Sequence, residues 1–385
     1  MMYDPIANAE AIVPKLRETS ADSESQRRLN DDAVALLREA GLSRLMTPAR
    51  YGGYQLPPRA QVLTNAITAH GCPAASWVQM VCAAHTFILG RFSRRCQDEI
   101  FGENPDSLIP GTPSAQGNCM RTGGGWLVNG RWQFCSGVDL GEWIMVGAGG
   151  VTDDSGNRTP DMVMVIPARD LIIDDTWHVL GMRGTGSKDI VAKNVFVPEY
   201  RGVNMANAFL GTVPDIDIPL YRLPAAATLS AMGLGTIVGI AEGGLADFIG
   251  QTRLRRDAYV GGAKAMRAGL QMRVAEAHTE IELARVLAER NCALLDAGMA
   301  DPAPMGIEAR AQVRWNAAYG TQLCRRATER LYAAAGAHAT YNVNALQGFF
   351  RDINTASHHA VLDFDTMAEI KGKVLLDVEQ NYAMI

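Results

Sequence analysis

Apolar positions along the chain change period twice. In "DDAVALLREAGL", Val34, Leu36, Leu37 and Leu42 recur at helical spacing and Gly41 marks a stop. "YGGYQLPP" reads as a loop from its glycines and prolines. "RAQVLTNAITAHG" and "AASWVQMVCAAHTFILGRF" predict two more helices; the second is apolar on nearly every side, which predicts burial. Near Pro110 the pattern becomes alternating. "GGGWLVNGRWQFCSGVDLGEWIMVGAGGV", "DMVMVIP" and "DIVAKNVFVP" predict short, hairpin-linked strands. Asn129 and Gly130 in "VNGRW" predict a hairpin turn, because both residue types accept left-handed backbone. Pro214, Pro219 and Pro224 mark a linker, and from Ala225 the helical period returns. Met266, Leu270, Val274, Ala277, Ile281 and Ala284 form the stripe of a long bundle helix. "ARAQVRWNAAYGTQLCRRATERLYAAAG" predicts a second, capped at Gly336. A third is expected to carry His358 and His359 in "RDINTASHHAVLDF". Neighbours on a helix stand roughly 100° apart, so only one of the two faces inward. The expected class is α+β, mostly α: a helical domain over 1–108, a β domain over 109–205, and a linker with a helical bundle over 206–385.

Composition narrows the function. The chain has 385 residues, 48% hydrophobic and 20% charged, as in an ordinary globular enzyme of several structural units. A net charge of −5 without a basic run argues against a nucleic-acid partner. The first residues lack the basic-then-apolar pattern of a secretory signal, and no run of 18 apolar residues predicts a membrane span. Seven scattered cysteines, with no C-x-x-C pair, predict reduced thiols in a cytoplasmic protein, with neither disulfides nor a metal site.

Several chemistries are missing. Gly233, Gly235 and Gly239 imitate a dinucleotide fingerprint, but no strand precedes them and Arg253 stands where an acid belongs. They read better as small residues that let helices approach. No Walker, H-E-x-x-H or G-x-S-x-G motif occurs.

Three stretches carry a resemblance. "LREAGLSRLMTPARYGGYQLPP", "WQFCSGVDLGEWIMVGA" and "TWHVLGMRGTGSKDIVAKNVFVPEYR" stand in the order found in the acyl-CoA dehydrogenase superfamily. The resemblance spans nearly the whole chain. It implies that superfamily's fold: N-terminal helices, a β-barrel-like middle domain and a C-terminal four-helix bundle. Its dehydrogenase branch uses a carboxylate near the C-terminus; Asp363 and Asp365 come nearest here. Its flavin-dependent monooxygenase branch places a histidine eight residues after an arginine, and Arg351 plus eight is His359. The chain therefore resembles the oxygenase components of two-component phenol hydroxylases.

That resemblance implies a set of roles. Reduced FMN or FAD, supplied by a separate NAD(P)H-dependent reductase, reacts with O2 to a C4a-hydroperoxide that hydroxylates a small or polycyclic aromatic, of phenol or indole type. An N- or S-oxygenase, or an acyl-CoA dehydrogenase or oxidase, is the alternative. Ser136 is expected at the flavin N5, His359 as the general base, and His85, Thr112 and Ser114 at the substrate. Phe134, Trp143, Arg183, Gly184, Thr185, Ser187 and Arg256 are expected to hold the flavin, with Trp177 flanking it and His358 a spectator. Turn N–H groups in "MRGTGS" suit flavin carbonyls or phosphate. The loop over 335–348 is expected to meet the flavin of a neighbouring subunit in a homotetramer. It reads "LQG" where relatives read "LQR", which leaves both FMN and FAD open.

Overall fold

The computed structural model describes residues 3–152, 156–256 and 261–379. Five helices come first: α1 (Pro5–Gln26), α2 (Asp31–Glu39), α3 (Pro58–Gly71), α4 (Pro73–Leu89) and α5 (Arg94–Phe101). Asp4, Asn30 and Ser93 cap α1, α2 and α5 with side-chain oxygens on backbone N–H groups. Every residue of α4 is buried, as its all-round apolar pattern predicts.

Seven strands follow: β1 (Gly111–Thr122), β2 (Gly125–Cys135), β3 (Trp143–Gly150), β4 (Met162–Pro167), β5 (Ile172–Asp174), β6 (Lys188–Pro198) and β7 (Gly202–Asn204). They form one sheet in the order β5-β6-β2-β1-β3-β4-β7. β1 and β3 run parallel, so the strands are not all joined as hairpins. Asn129 and Gly130 also depart from expectation. They lie inside β2, where Gly130 faces Gly117 and the β2–β6 register slips between Val128 and Gly130. The hairpin reverses at Gly123 and Gly124 instead. Ile144, Val146, Met164 and Ile166 point into the sheet's own core with Trp132, while Met145, Val163 and Val165 point at the helices. Burial on both faces explains the unbroken apolar run of "VMVI".

After α6 (Met205–Leu210) come the bundle helices α7 (Ala225–Leu254), α8 (Ala268–Ala300), α9 (Ile307–Ala335), α10 (Ala345–Ala356) and α11 (Phe364–Leu375). Leu270, Ala277, Ile281 and Ala284 are buried as the stripe predicts; Met266 precedes the helix and is 77% exposed. Among the described residues α7 alone is long and apolar enough to cross a membrane, yet 83% of its apolar window is buried in this protein's interior. A Cβ at Gly235 or Gly239 would come within 2.4 Å of the Val62 carbonyl oxygen or 2.1 Å of that of Ala66. Those glycines bring α7 against α3; they do not cradle a phosphate.

Candidate functional site

Two imidazoles, an indole and three hydroxyls meet where α4, the middle sheet and the turn after α10 converge. His85, on α4, is 3% exposed, and its Nδ1 lies 2.8 Å from the Ile109 carbonyl oxygen. A carbonyl can only accept, so Nδ1 carries the proton and Nε2 keeps a bare lone pair. Burial, opposed by the bond to Ile109 and helped by the nearby His359, pushes the ring down to about 4.

His359 has the opposite tautomer. α10 ends at Ala356, so the two adjacent histidines stand in the turn beyond the helix and the helical-face argument does not apply. His359 opens the short helical turn Ala360–Leu362, and its Nδ1 accepts the Val361 N–H at 3.3 Å. A backbone N–H can only donate, so the proton of the neutral ring sits on Nε2. Burial lowers this ring, too, to about 4. In this geometry the His359 Nδ1 lone pair is engaged by the backbone, which leaves Nε2–H, a donor, as the ring's free group in place of the base that the resemblance implies. Its ring stands edge-on to Trp77, centroids 5.4 Å apart at 71°. His358 is exposed, with Nδ1 on the Asn354 carbonyl.

Trp77 links these rings to a line of hydroxyls. Its indole N–H donates to Ser136 Oγ at 3.2 Å; Ser136 Oγ lies 2.7 Å from Ser187 Oγ, and Ser187 Oγ lies 2.6 Å from Thr185 Oγ1. Thr185 Oγ1 donates to the Met182 carbonyl at 2.8 Å. Beside this buried line Phe134 is held at φ 63° and stands 62% exposed, perpendicular to Trp177, with Leu180 63% exposed nearby in sequence. An exposed apolar ring next to a hydroxyl with a spare lone pair fits a flat heteroaromatic edge bearing an N–H, which is what a reduced flavin presents.

The turn that holds Thr185 and Ser187 is tied to α10 and α1. Asp352 Oδ1 accepts the Met182 N–H at 2.5 Å, Arg351 donates to the Leu180 carbonyl at 2.8 Å, and Glu24 pairs with Arg351 at 2.7 Å and Arg183 at 3.8 Å. Burial raises the Asp352 carboxyl to about 6. Gly184 packs on Ala74 and Ser23, where its absent Cβ would sit 3.0 to 3.1 Å from their atoms. The Thr185 and Gly186 N–H groups close the turn on Met182 and Arg183 carbonyls. So Thr185 and Ser187 enter the site through their hydroxyls, Arg183 and Gly184 brace the turn, and those two amides form no open anion nest.

Other expected residues have partners of their own. Thr112 and Ser114 are strand residues of β1; Thr112 donates to the Gln133 carbonyl, and exposed Ser114 accepts from Gln116. Trp143 is covered by the Arg201 guanidinium, 4.8 Å above its ring, so Trp177 is the tryptophan at Phe134. Arg256 is exposed, whereas Arg255 lines a cleft of about 410 Å³ with Gln251, His338, Tyr341 and Asn344. Trp77 and Asp352 were missed. Their one signal was polarity on helices that bury it: an indole N–H or a carboxyl in such a place needs a partner.

A family model described as acyl-CoA dehydrogenase, C-terminal domain, matches residues 232–364. The chain is 32% identical over 364 residues to the flavin-dependent monooxygenase oxygenase subunit HsaA of Rhodococcus jostii, covering 92% of this chain and 93% of the relative. It is 32% identical over 385 residues to the oxygenase component of p-hydroxyphenylacetate 3-hydroxylase from Acinetobacter baumannii, covering 97% and 89%. The solved structure of XiaF from Streptomyces sp., in complex with FADH2 and glycerol, matches with TM-score 0.92 at 26% identity over 98% of this chain and 96% of that one. With opposed imidazoles, a hydroxyl line beside an exposed aromatic ring, and relatives of this kind along its whole length, the chain belongs to the oxygenase components of flavin-dependent monooxygenases built on the acyl-CoA dehydrogenase fold.

Proposed function

We propose that this chain hydroxylates a phenol, using reduced flavin from a separate reductase and dioxygen. The observation that carries this reading is the pair of opposite tautomers: His85 offers a bare Nε2 and His359 an Nε2–H. A phenol hydroxyl both donates and accepts, so it can satisfy both rings. An indole N–H only donates, and a thioether leaves the His85 lone pair unmet.

Bound reduced flavin supplies the two electrons and activates the oxygen. Ser136 would meet the N5 edge and Phe134 the ring. Trp77 fixes Ser136 and braces the His359 ring. Burial of both histidines keeps water from the reacting atoms. The dehydrogenase alternative lacks its base on the C-terminal segment: Asp363 caps α11 through the Thr366 N–H, Asp365 is exposed, and Asp352 is bound to Met182. Arg255 and its cleft suit the flavin phosphate, whether of FMN or FAD, and in a homotetramer that cleft would receive a neighbour's flavin.

The test supplies reduced FMN or FAD anaerobically, adds oxygen with a panel of phenols, indoles and thioethers, and measures product against hydrogen peroxide released. Phenols should give product in preference to the others. Peroxide alone with every phenol, together with dye reduction by an acyl-CoA, would replace this reading with the dehydrogenase one.

A further inference from the structure

We propose that Ser187 and Thr185 are positioning residues that fix the Ser136 hydroxyl as a hydrogen-bond acceptor, so that the site takes a flavin protonated at N5 and disfavours one that is not. The inference rests on the flavin reading above and adds to it the device that sets redox-state preference.

The argument is a count of hydrogens. The line has two fixed ends. Trp77 Nε1–H can only donate, and it ends on Ser136 Oγ at 3.2 Å. The Met182 carbonyl can only accept, and it takes the Thr185 hydroxyl hydrogen at 2.8 Å. The Thr185 N–H and the Trp177 indole N–H converge on the same oxygen, each at 3.1 Å, which marks it as the acceptor terminus. Three hydroxyls stand between the ends, each with one hydrogen. Thr185 spends its own on Met182, so the 2.6 Å contact with Ser187 needs the hydrogen of Ser187. The 2.7 Å contact with Ser136 then needs that of Ser136. Every contact has its hydrogen, and Ser136 keeps one lone pair for the cleft.

Reversing the order frees the Ser136 hydrogen but leaves Thr185 Oγ1 facing the Met182 oxygen with nothing between them. Ser136, Thr185, Ser187 and Trp77 are 5%, 1%, 3% and 6% exposed, so bulk water does not relieve that pair. The Thr185 and Trp177 N–H groups hold the Met182 carbonyl in place, and Asp352 anchors the preceding peptide group through the Met182 N–H. A reduced flavin offers an N–H at N5, and an oxidised one offers a lone pair there. Against an acceptor-only serine the first gains a bond and the second meets repulsion. Leaving one buried polar group unmade corresponds to about tenfold to a hundredfold in affinity.

The experiment measures anaerobic equilibrium binding of reduced and oxidised FMN to the full chain and to Ser187→Ala, Thr185→Val and Thr185→Ser. The intact protein should prefer reduced FMN by about tenfold or more. Ser187→Ala frees the Ser136 hydroxyl to rotate, so oxidised FMN should bind more tightly and the ratio should collapse. Thr185→Val should lower the ratio and Thr185→Ser should restore it. In the flavin-free protein, the Trp77 indole proton, identified by its loss in Trp77→Phe, should shift in Ser187→Ala. Equal binding of both redox states by the intact protein, an unchanged ratio in Ser187→Ala, or an equal loss of both affinities would overturn the proposal. Failure of the intact protein to bind either form at micromolar concentration would instead overturn the flavin reading, and the proposal with it.

Discussion

His85→Asn separates the chemistry of His85 from its structural duty. An asparagine amide can still donate to the Ile109 carbonyl, the bond that Nδ1 now makes at 2.8 Å, but it removes Nε2. The expected loss follows from two energies. A phenol near ~10 facing an imidazole at about 4 is uphill for full proton transfer by roughly 8 kcal/mol, at about 1.4 kcal/mol per unit. His85 therefore does not deprotonate the resting substrate; it accepts a hydrogen bond that strengthens as oxygen transfer makes the hydroxyl more acidic. A bond to a group gaining charge is worth about 1.5–3 kcal/mol, which is about tenfold to a hundredfold in rate. The assay is single turnover of the protein with reduced flavin, oxygen and phenol, read as hydroxylated product per hydrogen peroxide. His85→Asn should bind reduced flavin as the parent does while product falls by that factor and peroxide rises. Hydroxylation within twofold of the parent would show that Nε2 takes no part. A matching loss of flavin affinity would place His85 at the cofactor instead.

Three further outcomes follow from the same geometry. Both imidazoles sit near 4 in the folded chain and near ~6.5 unfolded, so they contribute stability above ~6.5 that is lost as pH falls toward 4, at most about 3 kcal/mol each; Asp352, raised to about 6, works oppositely, losing its contribution as pH rises through that value. Urea midpoints should therefore climb from pH 4.5 to 6.5, and His359→Asn should flatten the climb. Gly239→Ala should destabilise by about 1–3 kcal/mol in the same assay despite better helix propensity, because its Cβ would meet the Ala66 carbonyl oxygen at 2.1 Å. Asp352→Asn keeps an acceptor for the Met182 N–H and should bind reduced FMN normally, whereas Asp352→Ala frees the turn and should weaken binding about tenfold by equilibrium titration.

Much of this protein was written locally. The period of apolar residues marks α2, α8 and α9, and the alternation near Pro110 marks the sheet, because burial of one face acts on residues two to four apart. The motifs around Ser136 and the spacing from Arg351 to His359 point to the family and the site. Tertiary structure decided what local pattern could not reach. Asn129 and Gly130 would make a good hairpin in isolation, yet they lie inside β2, paired with Asn118 and Gly117 of β1. Most decisive are the protons. His85 and His359 look alike as letters, and the Ile109 carbonyl and Val361 N–H make one an acceptor and the other a donor. Ser136 takes its polarity from Met182, 46 positions later, through two other hydroxyls. A side chain's composition sets how many hydrogens it owns; only the partners that folding brings within bonding distance decide where they point.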